Sequence, residues 1–465
     1  MKKNIGVFID HDLMIRHFIK ENKFKELEKK YNLIYFFSKN KKRIIQDINR
    51  LKIKNKIIKL DVDLRRKTKN TLLSYVGRIN NAYRKKKLSF KNAAIQEVKV
   101  ILNSRLLFYS YLIFANKFIY PFYKWFCKKF TIKFNEYLNN EVKKNELSFI
   151  IHPTVLNGDF VQDLVEIGKY NNIPTFLIMN SWDNCTSRAF THGNPTKYLV
   201  WGESIKKMAS ENLNLPKKNI DVIGCAQFDI YKQNPSISRK RYRKKIGVKK
   251  NEFLVCYAGS NIGINETKHL KIIDKQISLS KLKVKILYRP HPWKKIHKNE
   301  ISFFENKFQN IKMDYFSKKR YKNIFLKKPK KLSIGTINYD QTNTIIKSID
   351  AAILPPSTFS VECALNEVPI SIYLPILKDE ISPRVIIEAD YFKYLSNFLK
   401  PIICKGEKNL FKTINKLSKF ASYKKNKIDF QYRAQKLISF KKKETFEKRL
   451  FDYIKNFEIN NQLNY

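Results

Sequence analysis

A chain of 465 residues has the length for two domains, each large enough to close its own core. With 43% hydrophobic and 14% aromatic residues it is globular, which excludes an intrinsically disordered protein. The 93 Lys and Arg against 40 Asp and Glu give a net charge of +53. Such a balance suggests a polyanionic partner. The cations are spread along the whole chain beside abundant Asn, Ile and Phe, so a general compositional bias accounts for them equally well. Nucleic acid is therefore discounted as a partner, while an anionic membrane surface remains compatible.

Ile5 to Ile9 reads as a first buried strand ending at Asp10-His11-Asp12, followed by a helical pattern from Leu13 to Lys30. No secretory leader is expected, because Met1-Lys2-Lys3 leads into that strand and His11 and Asp12 interrupt any apolar core. Leu33 to Phe37 is a second strand, then comes a basic helix, and Ile57 to Leu60 is a third strand. This alternation predicts a parallel sheet covered by helices. Asp10 and Asp12 form an Asp-x-Asp pair of the kind that elsewhere binds a divalent metal through nucleotide phosphates. Directly after the first strand, a loop at the sheet's C-terminal edge is the simpler reading, and no metal is expected.

From about residue 71 to 146 the strand signal vanishes and helical patterns take over. The most apolar part runs from Leu106 to Phe126, yet only eleven uncharged residues separate Arg105 from Lys117, too few to span a bilayer. Phe108, Tyr109, Tyr111, Phe114, Phe118, Tyr120, Phe122, Tyr123 and Trp125 crowd this segment, bordered by Arg84-Lys85-Lys86-Lys87 and Lys128-Lys129. A helical hairpin with most of these rings in the core, and one surface edge on lipid, is the expectation.

The strand–helix rhythm returns at Ser148 to Ile151, followed by a polar loop His152-Pro153-Thr154 and a helix from Asp159 to Tyr170. Thr175 to Met179 leads into Asn180-Ser181-Trp182-Asp183-Asn184. Tyr198 to Trp201, a helix from Glu203 to Leu213 and Val222 to Ile223 complete a first sheet. The loops at His152 and Asp183 emerge at one C-terminal edge, where open α/β sheets hold ligands. Residues 227–250 are polar and basic and read as a linker.

A second domain opens with Phe253 to Tyr257 and the turn Gly259-Ser260, where the glycine permits close approach of a ligand, before a helix from near Asn265. Val284 to Tyr288 ends in Arg289-Pro290-His291-Pro292, with Lys294 beyond. Two prolines hold His291 in extended geometry, and cationic and donor groups converging there suit a diphosphate. Ser333 to Gly335 reads as a further strand. Asn338 caps a helix running to Ser348, from which Tyr339 is placed to stack on a base. Ala351 to Leu354 is a buried strand stopped by Pro355-Pro356. Ser357 and Thr358 stand at an N-cap, and a helix from Phe359 to Asn366 precedes the strand Ile370 to Tyr373. Glu362, one helical turn past Thr358, leans back toward that corner, where a carboxylate accepts from both ribose hydroxyls. From Phe392 onward the pattern is helical and basic. The six cysteines lack disulfide or metal spacing and fit buried thiols in a reducing, cytoplasmic compartment.

These pieces resemble GT-B glycosyltransferases of bacterial surface-polysaccharide assembly, and are similar to the CDP-glycerol glycerophosphotransferases and polysialyltransferases. The resemblance rests on His291-Pro292, on Pro356-Ser357-Thr358 with Glu362 and Pro369, and on Ser181-Trp182-Asp183-Asn184 followed by Tyr198-Leu199-Val200-Trp201-Gly202. It covers about 148 to 375. Ser357-Thr358 replaces a Ser-Ser pair, and Asn366-Glu367 stands where such proteins have a Gly. The resemblance implies two Rossmann-like domains with a facing cleft. These are an N-terminal acceptor domain over 1–226 with its helical insertion, a nucleotide-donor domain over 251–430, and a basic helical tail over 431–465.

In that family the His and the hydroxyl turn bind donor phosphates and the Glu takes the ribose. Carried over, donor contacts are His291, Ser357, Thr358 and Glu362, with Gly259, Ser260, Arg289 and Tyr339 beside them. Asp183 and His152 are the candidate general bases, with Asp10, His11, Trp182 and Asn184 on the acceptor side. The expected activity is transfer of a sugar from a nucleotide-sugar donor to a lipid-linked or growing glycan. It uses no metal or other cofactor and takes place at the inner face of the cytoplasmic membrane. Polyol-phosphate transfer from a CDP donor and a non-catalytic basic membrane- or RNA-binding scaffold are the alternatives.

Overall fold

The computed structural model describes residues 2–39, 53–84, 95, 98–99, 102, 104–154, 156, 158–182, 184–186, 190–260, 264–291, 308–326, 338–376 and 390–462. Asp183, Lys294, the basic helix after Phe37 and the strand at Ser333 to Gly335 fall outside the described residues. The chain divides into two compact units. One comprises residues 1–227 with 387–394 and 437–465, the other 228–386 with 395–436.

The first unit is built on β1 (Asn4–Ile9), β2 (Asn32–Ser38), β3 (Lys56–Leu60), β4 (Leu147–Thr154), β5 (Thr175–Met179), β6 (Lys197–Val200) and β7 (Ile220–Val222). They form one parallel sheet in the order β3-β2-β1-β4-β5-β6-β7. The second unit carries β8 (Phe253–Ala258), β9 (Val284–Arg289), β10 (Ile311–Met313), β11 (Ala351–Leu354), β12 (Ile370–Leu374) and β13 (Ile402–Lys405). These are also parallel, in the order β10-β9-β8-β11-β12-β13. Both sheets follow the Rossmann order, in which the chain reverses its direction of travel beside the first strand. Central strands such as Ala351–Leu354 are apolar at every position because helices cover both faces.

Several local expectations change. The pattern from Leu13 to Lys30 forms no single helix but a turn of α-helix, a π-helical turn at Ile15–Ile19 and a 3-10 turn at Leu27–Lys29. Its apolar residues, Met14, Ile15, Phe18, Phe24 and Leu27, satisfy the same core from this irregular path. His152 and Pro153 belong to β4 rather than to a loop. Pairing of β4 to β1 ends at Ile151, so the missing N–H of Pro153 breaks no ladder bond on that side. The strands β10 and β13 add short edges, each paired on one side only. Two or three apolar residues beside a lysine carry too little periodicity to stand out.

Of residues 227–250, expected as a linker, all but Gln227 are part of the second unit. Ser238 caps the helix Arg239–Lys245. Arg239 and Arg243 both pair with Asp350, at 2.6 and 3.1 Å, and the buried Tyr242 donates to Asp314 at 2.7 Å. A basic sequence therefore packs by satisfying its charges on one carboxylate.

The expected tail over 431–465 does not hang free either. Its helix Phe446–Gln462 lays Phe446, Leu450 and Ile454 into the core of the first unit with Phe18, Phe24 and Tyr31. Glu458 there accepts from Lys3, Lys30 and Tyr31 at 2.7–2.8 Å. Burial would raise its pKa, but these donors outweigh burial and bring it to about 2.

Candidate functional site

Each unit places polar groups at the C-terminal edge of its sheet, at the point where strand order reverses. That position is the general ligand site of open α/β sheets.

In the first unit this point lies between β1 and β4. Asp10 ends β1 and His152 lies near the end of β4, both with no exposed surface. His152 Nε2 is 3.3 Å from Asp10 Oδ2, which also accepts from the backbone N–H of Phe160 at 3.2 Å. A carboxylate oxygen accepts, so Nε2 is the ring nitrogen that donates to Asp10. His152 Nδ1 has no hydrogen-bond partner among the described residues. Gly158 makes the closure possible, because a Cβ there would sit 2.0 Å from Asp10 Oδ2. A His oriented by a carboxylate through one ring nitrogen has the form of a general base.

The neighbouring candidates serve the frame around this pair. His11 Nδ1 accepts from Leu13 N–H at 3.2 Å, closing the turn after β1. Asn184 Oδ1 accepts from the N–H groups of Asn180 and Ser181 at 3.2 and 2.8 Å, which fixes the turn after β5. Trp182 is buried against Trp201, the ring centroids 5.8 Å apart. The sequence reading missed His17, whose Nδ1 meets Asn180 Oδ1 at this edge. Burial and the nearby Arg16 lower its pKa to about 3 against the pull of that hydrogen bond. A polar residue in an otherwise apolar stripe was its only sign in the sequence.

In the second unit the reversal lies between β8 and β11. Gly259 and Ser260 follow β8, and Ser357 and Thr358 follow β11 by way of two prolines. The neighbour of Gly259 is internal: a Cβ there would lie 2.8 Å from both carboxylate oxygens of Glu266. Ser260 N–H donates to Glu266 Oε1 at 2.7 Å and Tyr288 donates to Oε2, so a buried carboxylate organises this turn. Glu266 was missed by the sequence reading, although its place just inside the helix capped by Asn265 marks it as a first-turn acid.

Arg289 ends β9, and its guanidinium carbon lies 4.3 Å from the centroid of the Phe359 ring while Nη2 donates to Thr342 at 3.3 Å. Phe359 opens the helix after the Ser357-Thr358 corner, so Arg289 links the end of β9 to the end of β11. His291 follows on the same edge, half-buried. Burial, with Arg289 and Arg320 adding repulsion, lowers its pKa to about 4. It is a neutral imidazole near two guanidinium groups rather than a third cation.

Ser357 and Thr358 are half-buried, and Thr358 is the N-cap by position without a side-chain capping bond. Two expected donor contacts lie deeper than the sequence suggested. Tyr339 is 2% exposed and Glu362 is 7% exposed, because each turns toward the sheet on its helix. The ring of Tyr339 is therefore core and not an open stacking platform.

No protein-family model matches the chain, and no curated protein matches it by sequence. Solved structures do. The chain is similar over 98% of its length to the glycotransferase of kitacinnamycin (8% identity, 99% of that chain, TM-score 0.54). It is likewise similar to S. aureus MnaA with UDP (10%, 98% of this chain and 97% of that one, TM-score 0.52). A third match is UDP-GlcNAc 2-epimerase from Neisseria meningitidis with UDP-GlcNAc (10%, 98% and 100%, TM-score 0.51). The architecture they share with this chain is the two-domain GT-B fold.

Proposed function

We propose that the chain is a glycosyltransferase that moves a sugar from a nucleoside-diphosphate donor to a lipid-linked or growing glycan at the inner face of the cytoplasmic membrane. The observation that carries this reading is the Arg289 guanidinium packed on Phe359, the residue that follows the Ser357-Thr358 corner at the switch point of the second sheet, with His291 two residues beyond Arg289 along the chain. Guanidinium groups and hydroxyls so placed suit a diphosphate and stabilise it as a leaving group. Two structural neighbours contain UDP or UDP-GlcNAc, which supports a uridine nucleotide as the first ligand to try.

In this reading the first unit takes the acceptor. His152 has no exposed surface in the free chain, so acceptor binding must uncover it; its Nδ1 then removes the proton from an acceptor hydroxyl while Asp10 holds the imidazole and balances the charge it gains. The acceptor oxygen then bonds to the anomeric carbon, the bond to the diphosphate oxygen breaks, and the diphosphate leaves with that electron pair. Asp183, on the loop after β5, is the second candidate base. No divalent metal is required, since Arg289 and Arg320 supply the positive charge.

Thermal shift of the full chain with UDP, CDP, GDP and CMP tests the donor site. One nucleotide is expected to stabilise the protein and His291→Ala to abolish the shift. Preference for CDP would favour polyol-phosphate transfer, and no response to any nucleotide would favour the scaffold. The UDP-GlcNAc 2-epimerase match makes epimerisation the second reading. It predicts 2-epimer product from UDP-GlcNAc without an acceptor. Activity lost in chelator and restored by manganese would overturn metal independence.

A further inference from the structure

The helical hairpin of the first unit is apolar on two sides. The helices Arg105–Phe114 and Ile119–Phe126, with the π-helical turn Cys127–Thr131, bury Tyr111, Ala115, Tyr120 and Cys127 against Leu73, Val76 and Ile79 of the helix Leu64–Arg84. That inner stripe accounts for the fold of the insertion. The outer stripe does not. Phe118 is 78% exposed, Phe122 65% and Trp125 50%, with Leu106, Tyr109 and Ile113 also open to solvent. Of the nine rings expected largely in the core, only Phe108, Tyr111 and Tyr120 are buried.

The outer rings form one continuous surface. Trp125 contacts Phe122 and Phe130 at 5.6 and 5.9 Å between centroids, and Phe130 contacts Phe126 at 5.0 Å. Lysines border it: Lys129 sits 5.1 Å from the Trp125 ring and Lys117 4.6 Å from the Phe118 ring. Arg105, Lys117 and Lys129 are exposed, and residues 105–135 contain six basic side chains and no Asp or Glu.

From this surface we infer that the hairpin is a docking face for an anionic phospholipid bilayer. Large exposed apolar patches mark interaction surfaces. Trp and Tyr beside Lys are the residues that settle at the headgroup level, where rings enter the acyl boundary and ammonium groups meet lipid phosphate. The segment itself carries no carboxylate, and the neighbouring Glu166 is paired with Lys128 at 2.8 Å, so charge and apolar terms act together. Among the described residues no helix is long and apolar enough to cross a membrane, so the hairpin lies in the interface. The inference extends the proposed function and does not depend on it.

Flotation of the full chain with vesicles tests it. The protein should float with vesicles of equal parts phosphatidylcholine and phosphatidylglycerol. Binding should fall at least about tenfold with phosphatidylcholine alone or in high salt. Trp125 emission should shift to the blue and be quenched by brominated lipid. Trp125→Phe should lose that change when compared in a Trp293→Phe background, because the two remaining indoles, Trp182 and Trp201, are already buried. Phe118→Ser with Phe122→Ser should weaken flotation at least about tenfold while thermal stability and the UDP shift stay as in the parent, since both rings are exposed. A parent chain that does not float, or a double variant that floats equally well, overturns the inference. So does displacement of vesicles by single-stranded RNA with the same dependence on the two Phe. Flotation without any nucleotide response overturns the donor site and leaves the docking face standing.

Discussion

His291 is neutral in the free chain because burial and two guanidinium groups oppose its charge. A phosphate arriving beside it reverses that balance and raises the imidazole pKa from about 4. Nucleotide binding is therefore coupled to proton uptake, and affinity should rise as pH falls from neutral toward pH 6. Calorimetry in buffers of different ionisation enthalpy should show that uptake, and His291→Gln should lose it while keeping a hydrogen-bonding side chain. Gly259 makes a prediction of another kind. Gly259→Ala brings a methyl against both oxygens of the buried Glu266 carboxylate, and should lower stability by about 1–3 kcal/mol in denaturant unfolding.

The helix Phe359–Leu365 ends in a Schellman motif. Val368 N–H bonds to Cys363 C=O at 3.0 Å, and Glu367 N–H bonds to Ala364 C=O at 3.1 Å. The price is a left-handed backbone at Glu367, with φ +60°. Glu367→Gly should raise stability by up to about 1 kcal/mol, read as a higher unfolding midpoint. The helix Phe446–Gln462 carries weight far from its place in the sequence. Leu450→Ala should cost about 2–5 kcal/mol, and removal of the helix should leave the first unit unable to fold. A chain cut at Thr445 that retained the parent's cooperative melt would contradict that role.

The protein as a whole should be sensitive to acid. His17, His269 and His291 have pKa values of about 3, about 4 and about 4, below the 6.5 of an unperturbed His. Burial is the leading cause in each, and for the fully enclosed His269 it outweighs the attraction of Glu407. Between pH 6.5 and about 4 the unfolded chain binds protons that the folded chain excludes, so stability rises with pH across that window and is lost on acidification. For His269 alone the loss between pH 7 and pH 5 is roughly 2 kcal/mol. Glu458 acts lower down, as its pKa of about 2 against a usual 4.5 removes stability only as pH falls through that interval. Melting temperature against pH should be flat above pH 7 and fall steadily below pH 6.

The strands were legible from local pattern. Phe176–Met179 and Ala351–Leu354 are unbroken apolar runs because a parallel sheet is covered on both faces. Asn265 and Asn338 announced their helices because a cap acts within three residues. Local pattern was silent on what lies side by side. Asp10 and His152 are 142 positions apart and meet only because β4 crosses back beside β1. Tyr339 and Glu362 are buried because of how their helices rotate against the sheet, and short-range spacing does not record rotation. The last helix was read as a tail because an apolar stripe looks the same from sequence whichever core it covers. The outer rings of the hairpin were assigned inward for the complementary reason: hydrophobicity says that a side chain avoids water, and only the packed neighbours reveal whether the protein itself supplies the cover.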